Sequence, residues 1–273
     1  MTKTRFILSH RMIFVVSGAD RTQLLDRILT CKLEGLKSGD ARYGALLTPQ
    51  GKVISDLFVY QSGDEMFLDL PSSVAETVIK RLTLLKLRAD VAFTPRADLV
   101  SGVTADEAPT TALLVTTDPR KPDQLKRFLI ARDETGDDET DTAYHTLRIS
   151  LGLPEQMFDF ADSEVFPADI NMDLLNAIDF KKGCFVGQEV VSRMKRKTEV
   201  RKRTVIVSTD GNALQSGDDI TAGETTIGQI TSSAGQQALA LLRLDRLSRA
   251  EEAGEAPMSG GQPISVSLEE LTT

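Results

Sequence analysis

The sequence predicts an α+β protein with mostly antiparallel sheets and a C-terminal β-barrel. Two patterns carry this expectation. Through residues 10–95, short β-branched or aromatic runs are interrupted by two stretches of helical apolar spacing, an order that suits an antiparallel sheet with helices. From Thr204 onward, strand-like runs at 204–208, 220–221, 227–232 and 238–244 are separated by glycine-containing turns, the spacing of a small barrel or sandwich with a boundary near Arg201.

Residues 10–17 read as a buried strand through Ile13, Phe14, Val15 and Val16, ending at Gly18. Asp20 stands as a helix N-cap, with Gln23 in capping-box position and a stripe of Leu24, Leu25, Ile28 and Leu29 behind it. After a turn at Gly39-Asp40, residues 43–48 are extended, Pro49-Gln50-Gly51 makes a hairpin loop, and 53–60 return as a strand. Ser62-Gly63-Asp64 turns the chain into a strand at 66–70. Ser72 or Ser73 caps a helix striped by Val74, Val78, Ile79, Leu82 and Leu85, and a strand at 91–93 precedes Pro95. Residues 112–115 suggest a strand, 124–130 a short helix, 134–142 an acidic solvent-exposed loop and 144–150 another strand. Residues 253–262 read as a loop before a last strand at 263–268.

The chain has 273 residues, enough for two or three modules, and a net charge of −8. An acidic chain repels phosphate backbones unless its cations cluster, so a nucleic-acid partner is not expected. Cys31 and Cys184 are the only cysteines and His10 and His145 the only histidines. Such a set makes neither a disulfide framework nor a four-ligand metal or cluster site held by this chain alone. The first ten residues carry no apolar leader and no run reaches the length of a membrane span, so the expected location is cytoplasmic, without a membrane partner.

Chemistry concentrates in residues 166–203. Gly183 and Gly187 flank Cys184, and residues 188–194 have the pattern of a helix whose N-terminal amides would favour negative charge. Lys182 and that helix terminus would each depress the Cys184 thiol; the alternative is a small packing residue beside Phe185 and Val186, and Cys31 has only that second reading. Residues 181–203 hold nine basic side chains against Glu189 and Glu199, a balance of +7. Such a strip, which includes Arg193, suits an anionic ligand or partner, or is a solvated face paired with the acidic remainder; both stay open.

The run Lys182-Gly183-Cys184-Phe185-Val186-Gly187-Gln188-Glu189 closely resembles the K-G-C-[FY]-x-G-Q-E signature of the YgfZ family, aminomethyltransferase-like proteins related to the glycine cleavage T-protein. Gly18-Ala19-Asp20, Leu46 to Val53, Gly228 to Ser232 and Ala238-Leu239-Ala240 are similar to further parts of that family, and the likeness is weakest at 97–143. The resemblance implies a three-module cloverleaf: residues 1–48 with 145–200 as a folate-binding domain, 49–144 as an α+β ferredoxin-like domain, and 201–273 as the barrel. It implies tetrahydrofolate, possibly polyglutamylated, as the cofactor, and iron–sulfur client enzymes or assembly factors as partners.

Residue by residue, Lys182 and Cys184 match the signature's functional pair. Asp169 falls where relatives place a glutamate that grips the pterin, and a carboxylate can accept from the ring N–H and exocyclic amine together. Asn171 matches a nearby asparagine, although either residue could instead cap a helix at 172–177. Gln188 of the signature and Arg193 of the basic strip complete the folate candidates on this side. Asp56 lies where the aminomethyltransferases carry paired aspartates; the pair here is Ser55-Asp56, which counts against aminomethyl transfer and is compatible with folate binding. Asp56 also reads as a solvent-facing strand residue. With no tryptophan in the chain, Tyr43, Phe185 or the guanidinium of Arg11 could stack on the ligand. The leading expectation is a folate-binding accessory protein for iron–sulfur enzymes. The alternatives are a tetrahydrofolate-dependent aminomethyltransferase and an RNA- or protein-binding module.

Overall fold

The computed structural model describes residues 5–135, 141–197 and 200–268. The chain divides into two compact units, residues 1–141 with 175–188, and residues 142–174 with 189–273.

The first unit holds strands β1 (Arg5–Ile7), β2 (Arg11–Ser17), β3 (Ala41–Leu47), β4 (Val53–Ser62), β5 (Glu65–Pro71), β6 (Ala92–Pro95), β7 (Leu99–Thr104), β8 (Leu114–Thr117) and β9 (Lys126–Ala131), with helices α1 (Arg21–Ile28) and α2 (Ala75–Leu85). One sheet has the order β3-β4-β5-β2-β6 and the other β1-β7-β9-β8, every pairing antiparallel. Alternation along the strands separates two faces of the larger sheet. Leu57 and Val59 of β4, Leu68 and Leu70 of β5, and Phe14 and Val16 of β2 pack with Leu25, Ile28, Val78 and Leu82 of the two helices as one apolar core. The opposite face presents Arg11, Tyr43, Asp56, Phe58, Tyr60 and Asp69, all buried. Arg127 of β9 reaches that face from the smaller sheet. In the smaller sheet Gly102 pairs with Phe128 across the strands, and the ring lies where a Cβ on residue 102 would be.

The second unit holds α3 (Asp141–Ser150), α4 (Gln188–Lys197), β10 (Lys202–Ser208), β11 (Asp219–Ala222), β12 (Thr225–Ala234), β13 (Gln237–Arg243), α5 (Leu244–Ala253), β14 (Pro257–Ser259), β15 (Gln262–Pro263) and β16 (Ser265–Ser267). Its seven strands run β15-β14-β11-β12-β13-β10-β16. The sheet's end strands, β15 and β16, are separated only by Ile264, so one short piece of chain pairs with β14 and with β10 and nearly closes the barrel. Register shifts at Ile220/Thr221 and Ile230/Ser232 supply the bending that closure needs. Val205, Val207, Ile220, Ile230, Ala240 and Leu242 fill the interior, joined by Leu247 and Ala250 of α5. Asp159 fastens the earlier segment of this unit to the barrel: it accepts from Arg148 (2.6 Å), Thr231 (2.7 Å) and Ser232 (2.6 Å).

Several local expectations are corrected. Residues 144–150 are helical, because Tyr144, Arg148 and Ile149 are the buried positions, at helical spacing, with Arg148 charge-paired inside. Residues 126–131 form β9 and not a helix, again because a buried arginine, Arg127, disguises the apolar face. Asp20 does not cap α1; its carboxylate accepts from the Asp90 N–H (2.8 Å). Neither Ser72 nor Ser73 caps α2, which starts after Val74 without a side-chain cap. The region 253–262 contains β14, and α5 precedes it. Where a helix was considered at 172–177, the chain makes a short 3-10 turn, Pro167–Ile170, followed by turns with Asn171 and Asn176 left-handed at φ of 58° each. The expected acidic loop lies partly at 136–140, outside the described residues.

Candidate functional site

The cysteine turn is anchored to the first unit by polar bonds made before and at Lys182. The hydroxyl of Thr30, just past α1, donates to Ala177 O (2.7 Å) and accepts from Ala45 N (2.8 Å), tying the incoming segment to both α1 and β3. Asp179 N donates to Thr30 O (3.0 Å), and the Asp179 carboxylate accepts from the N–H groups of Lys181 (2.7 Å) and Lys182 (3.1 Å), a local Asx turn. The buried Lys182 ammonium then donates to Leu29 O (3.0 Å) and Cys31 O (2.6 Å), carbonyls at the end of α1, with Asp26 3.5 Å away. Burial lowers the Lys182 pKa below the ordinary lysine value, with Asp26 pulling the other way.

The far side of the turn is held by packing. Phe185 is buried, with the Lys182 ammonium 5.7 Å from its ring centroid. Gly187 has φ +81°, and a Cβ there would stand 2.8 Å from Thr48 O and 3.1 Å from the Gly51 Cα. Only glycine satisfies both the left-handed backbone and that approach to the β3–β4 hairpin. Between these fixed points Gly183 faces open space and Cys184 is exposed as a free thiol. α4 begins directly after, with Gln188 N donating to Phe185 O (3.1 Å). Gln188 is half-buried and Arg193 exposed. The thiol nearest the Lys182 ammonium's anchors is Cys31, which is buried and pushed up to about 12, so it stays protonated and inert.

Other nominated residues occupy a different part of the same unit. Arg11 Nε donates to Asp69 Oδ1 (2.5 Å), with Asp56 3.7 Å from another nitrogen of the guanidinium. Tyr43 OH donates to Asp56 (3.3 Å) and Tyr60 OH to Asp69 (2.8 Å). Arg127 donates to Tyr60 OH (2.6 Å) and Asp69 (2.9 Å) and pairs with Asp118, which also pairs with Arg120 (2.9 Å). The ring of Phe58 lies among the three guanidiniums, 3.7 Å from Arg127, 5.0 Å from Arg120 and 5.2 Å from Arg11. Three arginines thus meet three aspartates in one buried layer. Burial alone would raise the Asp69 carboxyl, but Arg11 and Arg127 draw it below the usual carboxylate range. Asp56 is therefore no solvent-facing strand residue. Sequence reasoning missed Asp69, Asp118, Arg120, Arg127 and Tyr60; the one available signal was a lone aspartate inside the apolar run from Met66 to Leu70.

Asp169 and Asn171 belong to the second unit. Asp169 Oδ2 accepts from Phe166 N (2.9 Å), closing the 3-10 turn, and Asn171 donates to Thr204 O (2.7 Å). Arg203 makes a two-pronged pair with Asp173 (2.6 and 2.8 Å) and donates to Ala168 O (3.0 Å), so this member of the basic strip is spent on holding β10.

Mixed α/β layers, mostly antiparallel sheets and a nearly closed C-terminal barrel define the aminomethyltransferase-like fold of the glycine cleavage T-protein. The chain superposes on the crystal structure of glycine cleavage system aminomethyltransferase T from Bartonella henselae with a TM-score of 0.73, covering 98% of this chain and 86% of that one at 16% identity. Residues 6–104 match the GCVT N-terminal domain, and residues 201–272 match the C-terminal beta-barrel domain of CAF17. Among curated proteins, the chain is 30% identical over 225 residues to a protein of Neurospora crassa named "Iron-sulfur cluster assembly factor IBA57 homolog, mitochondrial", with 72% of this chain and 51% of that one aligned. It is 28% identical over 285 residues to "Iron-sulfur cluster assembly factor IBA57, mitochondrial" of Mus musculus, with 89% and 78% aligned. The chain spans about half the length of the fungal relative. The expectation of a cytoplasmic protein is corrected by these relatives, which are named as mitochondrial.

Proposed function

We propose that this chain is a YgfZ-type accessory protein that supports iron–sulfur enzymes, with Cys184 as its working thiol and tetrahydrofolate as its cofactor. The observation that carries the reading is the presentation of Cys184: an exposed thiol at the tip of a turn whose two flanks are pinned. The names of the curated relatives supply the process, iron–sulfur cluster assembly. A single thiolate cannot hold a cluster, which commonly takes four. In this reading Cys184 contributes one ligand or accepts one group, and the protein delivering or receiving the cluster supplies the rest.

The folate part rests on the signature and on the chemistry of the donor set. A carboxylate such as that of Asp169 suits a pterin's ring N–H and amine, and Arg193 suits a glutamate tail. Arg11, Tyr43 and Asp56 are buried and bonded within the layer described above, so they stiffen the unit and do not line a surface. Direct contacts are assigned to Asp169 and Arg193, with Asn171 and Gln188 beside them in sequence. When bound, the folate supplies a reduced pterin able to carry a one-carbon unit. The Ser55-Asp56 pair, in which the Ser55 hydroxyl donates to Asp56 O (2.7 Å), lacks the second carboxylate of a transferase.

Two measurements separate the parts. In a strain lacking the gene, Cys184→Ala is expected to fold and yet fail to restore iron–sulfur enzyme activity; full rescue refutes the thiol's role. Titration with tetrahydrofolate and its polyglutamate is expected to show saturable binding that Asp169→Asn weakens while keeping an acceptor for Phe166 N. No binding by the parent chain refutes the cofactor assignment and leaves the thiol assignment standing.

A further inference from the structure

The end of α2 carries apolar surface that the fold does not use. Leu84 is 69% exposed, Leu85 38% and Leu87 86%. They sit among Lys80, Arg81, Lys86 and Arg88, with no acidic residue between Glu76 and Asp90, in a chain whose net charge is −8. Lys86 is drawn back, its ammonium donating to Val91 O (2.6 Å), while Lys80 and Arg88 are exposed.

Leu87 is also placed at a conformational cost. It stands just past the helix with φ +51°, in the left-handed region, and the turn closes through Ala89 N to Lys86 O (2.8 Å). Glycine or asparagine is the usual occupant of that position, and a bulky side chain there is a true outlier. Here the backbone is strained and the side chain gains no packing. Such an arrangement is a pointer to function.

We infer that this helix end is a peripheral contact surface for an anionic lipid bilayer. The exposed leucines are bordered by the cations Lys80, Arg81 and Arg88 with no acidic residue among them, so the patch pairs an apolar tip with a positive collar that complements a negatively charged surface. They suit shallow insertion at the headgroup boundary, where the surrounding cations meet anionic lipid. The surface is distinct from the cysteine turn and does not rest on the folate or cluster reading.

The test uses the full chain and extruded vesicles, one set of phosphatidylcholine and one of equimolar phosphatidylcholine and phosphatidylglycerol, read by co-sedimentation. The parent is expected to sediment with the anionic vesicles only and to dissociate as salt rises. Leu87→Gly fits the backbone and removes no internal contact, so its melting temperature should equal or exceed the parent's while its partitioning falls about fivefold. Replacing Lys80 and Arg88 by Gln should weaken binding further. Absence of parent binding to anionic vesicles, equal binding to both vesicle types, or binding unchanged in Leu87→Gly overturns the inference. So does sedimentation without vesicles that Leu87→Gly abolishes, which marks the patch as a contact between copies of the chain.

Discussion

Replacing Lys182 by Met tests whether the signature lysine is a clamp. The substitution keeps the length and apolar stem and deletes an ammonium that donates to Leu29 O and Cys31 O. A hydrogen bond to a charged group contributes about 1.5–3 kcal/mol, and orphaned carbonyls add to the loss. Against this stands the desolvation that already lowers the Lys182 pKa, a cost that Met does not bear. The net expectation is a loss of about 2 kcal/mol, or about 4–8 °C in melting temperature for a unit of this size. The sign with pH follows from the direction of the shift. A lysine whose folded pKa lies below the unfolded value penalises the folded state while both are protonated. That penalty disappears as pH climbs from the folded pKa toward the ordinary value of 10.5. The parent should gain on Lys182→Met over that window. Urea unfolding at pH 7 and pH 10, with the alkylation rate of native Cys184 beside it, reads both effects. Equal stability at both pH values and an unchanged Cys184 rate refute the clamp.

Asp69→Asn leaves Arg11 and Arg127 without their shared charge, and breaking a buried pair from one side costs about 3–5 kcal/mol. Because the parent's folded Asp69 pKa is lowered, its contribution is present above the unfolded value of 3.8 and lost as pH falls through the folded pKa. Denaturant midpoints across that acid range should therefore fall more steeply for the parent than for Asp69→Asn, and parallel slopes count against it. Thiol titration with a disulfide reagent should find Cys184 reactive in the native chain and Cys31 only after denaturation, since the latter is buried and pushed up to about 12. Rapid native reaction of Cys31 contradicts the packing described for it.

The parts of the fold legible in sequence were those where burial follows apolarity. The β3–β4 hairpin, β5 and the barrel strands β10, β12 and β13 fall close to their expected positions, because there side-chain polarity and direction agree. Misreadings occurred where a charge is interior. Arg148 on α3 and Arg127 on β9 are fully buried, so the hydrophobic period misidentified both elements. The cysteine turn was legible as a motif, and its glycines rightly suggested a close approach, which Gly187 makes to the hairpin. What the motif did not disclose was the target of Lys182, because the carbonyls it meets lie more than 150 positions earlier in the chain. The same distance effect hid the arginine–aspartate layer, whose members are scattered from Arg11 to Arg127 and acquire meaning only when two sheets face each other.

The membership of residues 175–188 in the first unit has a consequence for biosynthesis. A ribosome delivers residues 1–141 long before the segment that completes them. Until it arrives, the Thr30 hydroxyl lacks Ala177, and the carbonyls of Leu29 and Cys31 lack their ammonium. The nascent first unit must therefore wait, part-finished, while more than thirty residues of the second unit emerge. The first unit is completed only when residues 175–188 set the Cys184 turn in place, with the rest of the second unit still to follow, and dissecting the protein at residue 141 would remove that turn along with the last stitches of the module left behind.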